Sequence, residues 1–130
     1  MAHAQQSYVV TAADTAASLG SGDVPVLATP RLVAWLEAAT VAALAGDLVE
    51  GSTSVGTHVD VRHLAASLVG SVVTVRAELT AQDGRTATFA VSAHQQGGTG
   101  EQVTVAAGEV TRVVVDRDRF LSRALGAAQD

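Results

Sequence analysis

The central segment of the chain, residues 29–46, reads TPRLVAWLEAATVAALAG and decides the fold. After its first three residues, Glu37 and Thr40 carry the only polar side chains, and most of the others are Ala and Leu, which are good helix formers. A helix that is apolar on nearly all sides is buried on most of its faces. The segment therefore predicts one long buried helix, in which Glu37 is an unusual residue.

Both ends of this helix carry typical capping residues. Thr29 is a good N-cap, and Pro30 suits the first helical position because proline lacks an N–H that would remain unpaired there. The helical run continues to Ala45, and Gly46 fits the C-cap. A capping role explains Thr29 without any catalytic function.

The residues ahead of the helix predict a strand and a long connection. Residues 7–11 are rich in β-forming side chains and predict a short strand. Residues 12–28 contain Gly20, Gly22 and Pro25 and predict a loop with one helical turn. Because this loop directly precedes the central helix, it is a candidate lid or pocket rim.

After the helix the apolar pattern changes to a period of two, which is typical of strands. The pattern predicts four strands, over residues 53–63, 71–81, 85–95 and 101–115. Asp83-Gly84 predicts a tight hairpin, and residues 96–100 a looser turn. The apolar phase slips at Ala107-Gly108, where we expect a bulge. Residues 116–127 predict a short terminal helix.

This order of elements indicates the fold class. One long helix and an antiparallel sheet built mostly from hairpins belong to the α+β class. A curved sheet of about five strands wrapped around one buried helix is the hotdog fold. The length of 130 residues is that of one domain, so we expect a single domain over residues 1–130.

Composition excludes several functions. The formal net charge is −5 and the basic residues are scattered, which argues against nucleic acid as a partner. Cysteine is absent, so there is no thiolate nucleophile, no disulfide and no Cys-based metal site. The first residues lack the pattern of a signal peptide, and the longest apolar stretch is too short to cross a bilayer. We expect a cytoplasmic protein with no membrane partner and no cofactor.

Two ionisable residues in apolar surroundings are the first candidates for chemistry. Glu37 lies in the buried helix, where a carboxylate is costly unless it is paired, protonated or facing a cavity. The structural alternatives are a carboxylate that reaches the surface and one that pairs with an arginine such as Arg112. His63 ends the strand over residues 53–63, on the apolar face. It is either a general base or a core histidine with satisfied hydrogen bonds.

The same strand holds further candidates on its opposite face. Strict alternation puts Gly56 there, where a glycine marks either a bulge or the close approach of a ligand. His58, Asp60 and Arg62 share that face, which is more typical of a solvated surface than of a metal site. No phosphate-binding glycine loop, nucleophile elbow or zinc-binding His-Glu-x-x-His motif is present.

Two stretches together resemble a known family. Residues 26–37, VLATPRLVAWLE, and residues 54–63, SVGTHVDVRH, are similar to the fluoroacetyl-CoA thioesterase family of hotdog proteins. The shared features are the spacing from Thr29 to Glu37, the spacing from Glu37 to His63, and Gly56 seven residues before the histidine. The resemblance continues over most of the chain.

The resemblance implies a hydrolase that cleaves an acyl-CoA thioester. It implies a catalytic trio of Thr29, Glu37 and His63, with Gly56 beside the acyl group and Arg112 near the pocket. It also implies a homodimer with active sites close to the subunit interface. In the mechanism that follows, Glu37 attacks the carbonyl or activates a water, and His63 transfers protons. Thr29 positions Glu37 or the substrate, or donates to the oxyanion.

One departure from the family pattern bears on the substrate. Members selective for fluoroacetyl-CoA have aromatic residues before the helix, and residues 19–28 of this chain contain none. We therefore expect a general short-chain thioesterase rather than a fluoroacetyl-selective one. The alternative is a non-catalytic hotdog domain that binds acyl-CoA or a related small ligand.

Overall fold

The computed structural model describes residues 2–129. Five strands, β1 to β5 in chain order, span His3–Val9, Ser52–His63, Val72–Asp83, Thr86–Gln96 and Gln102–Asp116. Three α-helices, α1 to α3, span Ala16–Leu19, Thr29–Leu44 and Arg117–Gln129. No helix of the described chain is both long and apolar enough to cross a membrane.

The strands form one antiparallel sheet in the order β1-β3-β4-β5-β2. The tight hairpin predicted at Asp83-Gly84 joins β3 to β4, and Gly84 supplies the positive φ of 58° that this turn needs. β1 and β2 are the two edge strands. Because β2 pairs only with β5, its other edge has no strand partner among the described residues.

The long helix α2 packs against the inner face of the sheet. Its apolar residues Leu32, Leu36 and Ala39 are buried with alternate residues of β3 and β4, such as Val75 and Phe89. The ring of Trp35 stacks on Tyr8 of β1 with a centroid distance of 4.4 Å. The predicted α+β arrangement of one long helix against a sheet of about five strands is confirmed.

Several predicted ends were wrong. β1 begins at His3 rather than at residue 7, because polar residues pair with β3 at this edge as readily as apolar ones. The N-cap of α2 is Ala28, whose carbonyl accepts the first helical hydrogen bond, and Thr29 is already helical. At the other end α2 stops at Leu44, and a 3-10 turn takes the place of a left-handed glycine cap at Gly46.

Two bulges correct the predicted strand faces. The register between β2 and β5 shifts between Gly56 and His58, so that Thr57 is an extra residue. The shift brings Gly56 to the same face as His63, whereas strict alternation had put them on opposite faces. In β5 the extra residue is Val105, two residues before the predicted position, and Val105 and Ala106 are both buried.

Candidate active site

A hydrogen bond joins Thr29 and His63. The Thr29 Oγ1 atom lies 2.7 Å from His63 Nδ1, and the ring tautomer decides which atom donates. The bond is possible because α2 starts where β2 ends, so that the first helical residue faces the last residue of the strand. Thr29 therefore uses its hydroxyl on the histidine, and its side chain caps no helix.

The carboxylate of Glu37 pairs with Arg112. The Arg112 Nη1 atom donates to Glu37 Oε2 over 3.3 Å, which is the structural alternative weighed for this carboxylate. The guanidinium is almost fully enclosed, with 7% of its side chain exposed, whereas Glu37 has 36% exposed. The ion pair thus leaves part of the carboxylate open to a ligand.

Ser54 holds the other side of the Arg112 guanidinium. The Arg112 Nε atom donates to Ser54 Oγ over 2.9 Å, and Nη2 donates to the Ser54 carbonyl over 3.1 Å. The sequence alone did not single out Ser54, because a serine in a strand is common and carries no signal. Its place beside Arg112 follows only from the register between β2 and β5, in which Arg112 pairs with Gly56, two residues along the strand from Ser54.

Gly56 lies directly against the Glu37 carboxylate. A Cβ atom at this position would lie 2.5 Å from Glu37 Oε2 and 3.4 Å from Arg112 Nη1, so that only glycine leaves the ion pair undisturbed. The group that approaches Gly56 is the side chain of Glu37, and the bulge lies at the next residue. His58, Asp60 and Arg62 are exposed, and residues 2–129 contain no cluster suited to a metal ion.

The candidate residues form two separate pairs within one chain. Thr29 and Glu37 are eight residues apart on α2, which is about 12 Å along a helix. Gly56 and His63 are seven residues apart on β2, roughly 20 Å along a strand. The pair of Thr29 with His63 therefore lies at the end of β2, and the pair of Glu37 with Arg112 lies roughly 20 Å away along the same strand.

A cavity of about 320 Å³ opens beside the Thr29 and His63 pair. Its walls come from the connection ahead of α2 and from the residues that follow β2. The connection contributes Ala16, Ser21, Gly22, Val24, Val26 and Leu27. This segment is tied down by backbone bonds, from Leu27 to Ser67 and from Ala28 to Asp14. It forms the rim that its sequence position suggested, and small aliphatic and polar residues line it.

The electrostatics of His63 favour the neutral ring. Burial lowers the pKa of the His63 imidazole below its ordinary value, and the neighbouring backbone of Ala65 offsets part of that effect. The Nε2 atom is buried and has no hydrogen-bond partner within the described residues. A neutral ring bonded through Nδ1 can take up a proton at Nε2.

The contact between Gly56 and Glu37 predicts the effect of the substitution Gly56→Ala on stability and on the ion pair. We expect the variant to fold, because the far end of a flexible glutamate can move away from the new methyl group. The unfolding free energy falls by at most about 1 kcal/mol, the size of a partly exposed ion pair. A crystal structure of the variant shows Glu37 displaced from Arg112. Gly98→Ala is the control, because no atom lies within 4 Å of a Cβ there. An unchanged Glu37–Arg112 contact would contradict the prediction.

The lowered pKa of His63 predicts how stability depends on pH. The unfolded chain binds a proton at this residue more readily than the folded chain, so the contribution to stability is complete above the ordinary histidine pKa of about 6.5. It is lost as the pH falls through the folded-state value. Urea unfolding of the wild type and of His63→Gln across this range measures the difference. As the pH falls, the wild type should lose more unfolding free energy than His63→Gln does. A wild type whose stability relative to His63→Gln rises at low pH would contradict the prediction.

Comparisons with known proteins identify the family of this chain. Residues 10–118 match the family model described as fluoroacetyl-CoA-specific thioesterase. The sequence is 39% identical to the fluoroacetyl-CoA thioesterase of Streptantibioticus cattleyicolor over 95 residues, which are 73% of this chain and 65% of that protein. The chain therefore spans just under two thirds of that relative.

Solved structures give the same result. The fold is similar to that of a mutant fluoroacetyl-CoA-specific thioesterase FlK in complex with fluoroacetate and CoA, with a TM-score of 0.85 and 31% identity over 95% of this chain and 97% of that chain. It is also similar to a thioesterase superfamily member from Thermus thermophilus, with a TM-score of 0.83 and 28% identity over 98% and 92% of the two chains. The chain belongs to the fluoroacetyl-CoA-specific thioesterase family of hotdog proteins.

Proposed function

We propose that this protein hydrolyses short-chain acyl-CoA thioesters to the acid and free CoA, in an active site that two copies of the chain build together. The observation that carries the proposal is the separation of the Thr29–His63 pair from the Glu37–Arg112 pair along one edge strand. Family membership supports the thioester chemistry. The separation of the two residue pairs supports an active site that is assembled from two copies of the chain.

The open edge of β2 is the first argument for a homodimer. An unpaired strand edge offers a row of backbone donors and acceptors to a second strand. β2 is twelve residues long, and its middle residues, 56–60, are exposed. Most closed oligomers have a two-fold axis, and two β2 strands related by such an axis pair in the antiparallel sense. A dimer formed in this way continues the sheet from one copy into the next.

The exposed face of α2 is the second argument. Glu37 reaches β2 and β5 from one side of the helix, and the adjoining positions Ala34, Ala38 and Val41 are exposed. The sequence of α2 is apolar nearly all round, yet the single chain leaves this stripe uncovered. A second copy on the β2 edge would cover the stripe and explain the composition of the helix.

Antiparallel pairing of β2 reunites the site residues. A two-fold axis between Val59 and Asp60 brings the Gly56 end of one strand alongside the His63 end of the other. Glu37 lies against Gly56, and Thr29 is bonded to His63. Each dimer then holds two composite sites, with Glu37 and Arg112 from one copy and Thr29 and His63 from its partner.

Glu37 supplies the group that acts on the thioester carbonyl. It either attacks the carbon directly, forming a mixed anhydride that water then cleaves, or takes a proton from a water that attacks. In both routes the C–S bond breaks and the sulfur leaves as a thiolate. Arg112 keeps the carboxylate in place, and the missing side chain at Gly56 lets the carboxylate lie against β2, with the acyl group beside it.

His63 and Thr29 complete the chemistry. In the direct route, a neutral His63 takes a proton at Nε2 from the water that cleaves the anhydride and passes it to the thiolate of CoA. In the other route, the proton that Glu37 takes from the attacking water passes through His63 Nε2 to the leaving thiolate. Thr29 orients the ring through Nδ1 or donates to the developing oxyanion. Backbone N–H groups at the start of α2 add partial positive charge beside the oxyanion.

The rim of the cavity bears on which acyl groups the site accepts. Residues 19–28 contain no aromatic side chain, and small residues such as Gly22 and Val24 line this wall. Nothing on this rim is rigid and large enough to close tightly over a two-carbon acyl group. We therefore propose a general short-chain thioesterase without selectivity for the fluorinated substrate.

Free-thiol release from a panel of acyl-CoAs, from acetyl to long-chain and aromatic, tests the function. We expect the wild type to be most active on short chains. Glu37→Gln and His63→Gln should lose turnover by about 100- to 10,000-fold, as expected when a general acid or base is removed. Glu50→Gln and His3→Gln, both exposed and both outside β2, are the matched controls and should keep full activity.

Two results would contradict the proposal. Full activity of Glu37→Gln would remove the carboxylate from the mechanism. Saturable binding of acyl-CoA without release of thiol by the wild type would favour the non-catalytic alternative.

A further inference from the structure

A cavity of about 660 Å³ lies on the outer face of the sheet and takes no part in the chemistry proposed above. Val73, Val75 and Ala77 of β3 face the helix, so the residues between them face outward. Thr74 and Arg76 thereby line the cavity, together with the loop that joins β4 to β5. The full set is Gln5, Val72, Thr74, Arg76, His94, Gln95, Gln96, Gly100 and Gln102.

The lining of this outer cleft favours an anion. Arg76 pairs across the strands with Gln5, and His94 pairs with Thr74, so the two basic groups are diagonal neighbours. Within residues 2–129, the side chain of Arg76 has no ion pair or hydrogen bond, whereas those of Arg31 and Arg112 each bind a carboxylate. No Asp or Glu lines the cleft, although the chain carries 13 of them. The side-chain amides add further donors.

The outer cleft and the cavity beside His63 share a wall. Gln95 lines the cleft and donates its Nε2 hydrogen to the carbonyl of Ala66 over 2.9 Å. Ala66 in turn lines the cavity that holds Thr29 and His63. Two side-chain atoms at this wall, Gln95 Oε1 and Ser67 Oγ, are buried and have no partner within the described residues. A polar ligand that crosses the wall can supply partners for both.

We infer that the outer cleft binds the phosphorylated nucleotide end of CoA, while the thioester lies beside His63. The inference rests on the proposed function for the identity of the carrier. A guanidinium with free donors binds phosphate oxygens in a fork, and histidine and amide groups complete such a site. CoA carries its phosphates at the far end of a flexible arm from the thioester, which matches two cavities separated by one wall. An acyl carrier protein has no 3′-phosphate and no adenine to fill the cleft.

Binding of adenosine 3′,5′-bisphosphate, measured by calorimetry, tests the cleft without any turnover. We expect Arg76→Gln to weaken this binding by about 10- to 100-fold, the effect of losing a hydrogen bond to a charged group. His94→Gln should weaken it less. Arg123→Gln, which removes the same charge from the exposed face of α3, is the control and should bind as the wild type does.

Kinetics with two thioesters that carry the same acyl group distinguish an effect on binding in the outer cleft from an effect on the chemical step. Arg76→Gln should raise KM for the acyl-CoA by the same factor and leave kcat unchanged. The corresponding N-acetylcysteamine thioester lacks the nucleotide, and its KM should not change. Equal losses on both substrates, or unchanged binding of the bisphosphate, would overturn the inference.

The two proposals fail in different ways. If the wild-type protein binds the bisphosphate through Arg76 but releases no thiol, the result supports nucleotide binding in the cleft and contradicts thioester hydrolysis. A protein that hydrolyses both thioesters but does not bind the bisphosphate supports the hydrolysis and contradicts the cleft. A change of oligomeric state in Arg76→Gln would assign this face to contacts between copies and overturn the cleft.

Discussion

A guanidinium enclosed in a protein interior needs acceptors for its donors, and Arg112 of β5 finds them on two other elements. Ser54 of β2 accepts twice, and Glu37 of α2 accepts once. Removing the two Ser54 acceptors would leave donors of an enclosed charge without partners, which is costly, whereas the loss of the partly exposed Glu37 carboxylate costs less. The interaction therefore joins the edge strand, the neighbouring strand and the central helix, and it gives the helical carboxylate one fixed position beside Gly56.

This constraint has a consequence for the whole molecule. Because Glu37 is held at the Gly56 end of β2, it cannot also reach His63 at the other end of the same strand. A single chain thus holds two incomplete halves of the proposed site. The open strand edge and the uncovered stripe on α2 adjoin these halves, so the same features that support a homodimer also support a composite site.

Much of this could be predicted from the sequence. The apolar helix, the alternating strands and the turn at Asp83-Gly84 depend on local patterns, and they were confirmed. The predicted face of Gly56 was wrong, because the bulge at Thr57 arises from pairing with β5 and has no signal in the local sequence. The role of Ser54 depends on the same register. The resemblance indicated the residue types of the site, but their division into two pairs follows only from the packing of α2 on the sheet.

The most direct test mixes two inactive variants, Glu37→Gln and His63→Gln, and allows their subunits to exchange. If each site takes Glu37 from one copy and His63 from the other, every mixed dimer regains one intact site. Half of the dimers in an equal mixture are mixed, so thiol release should return to about one quarter of the wild-type rate. Sedimentation of the same samples should show dimers throughout. A mixture that exchanges subunits and stays inactive would contradict the composite site.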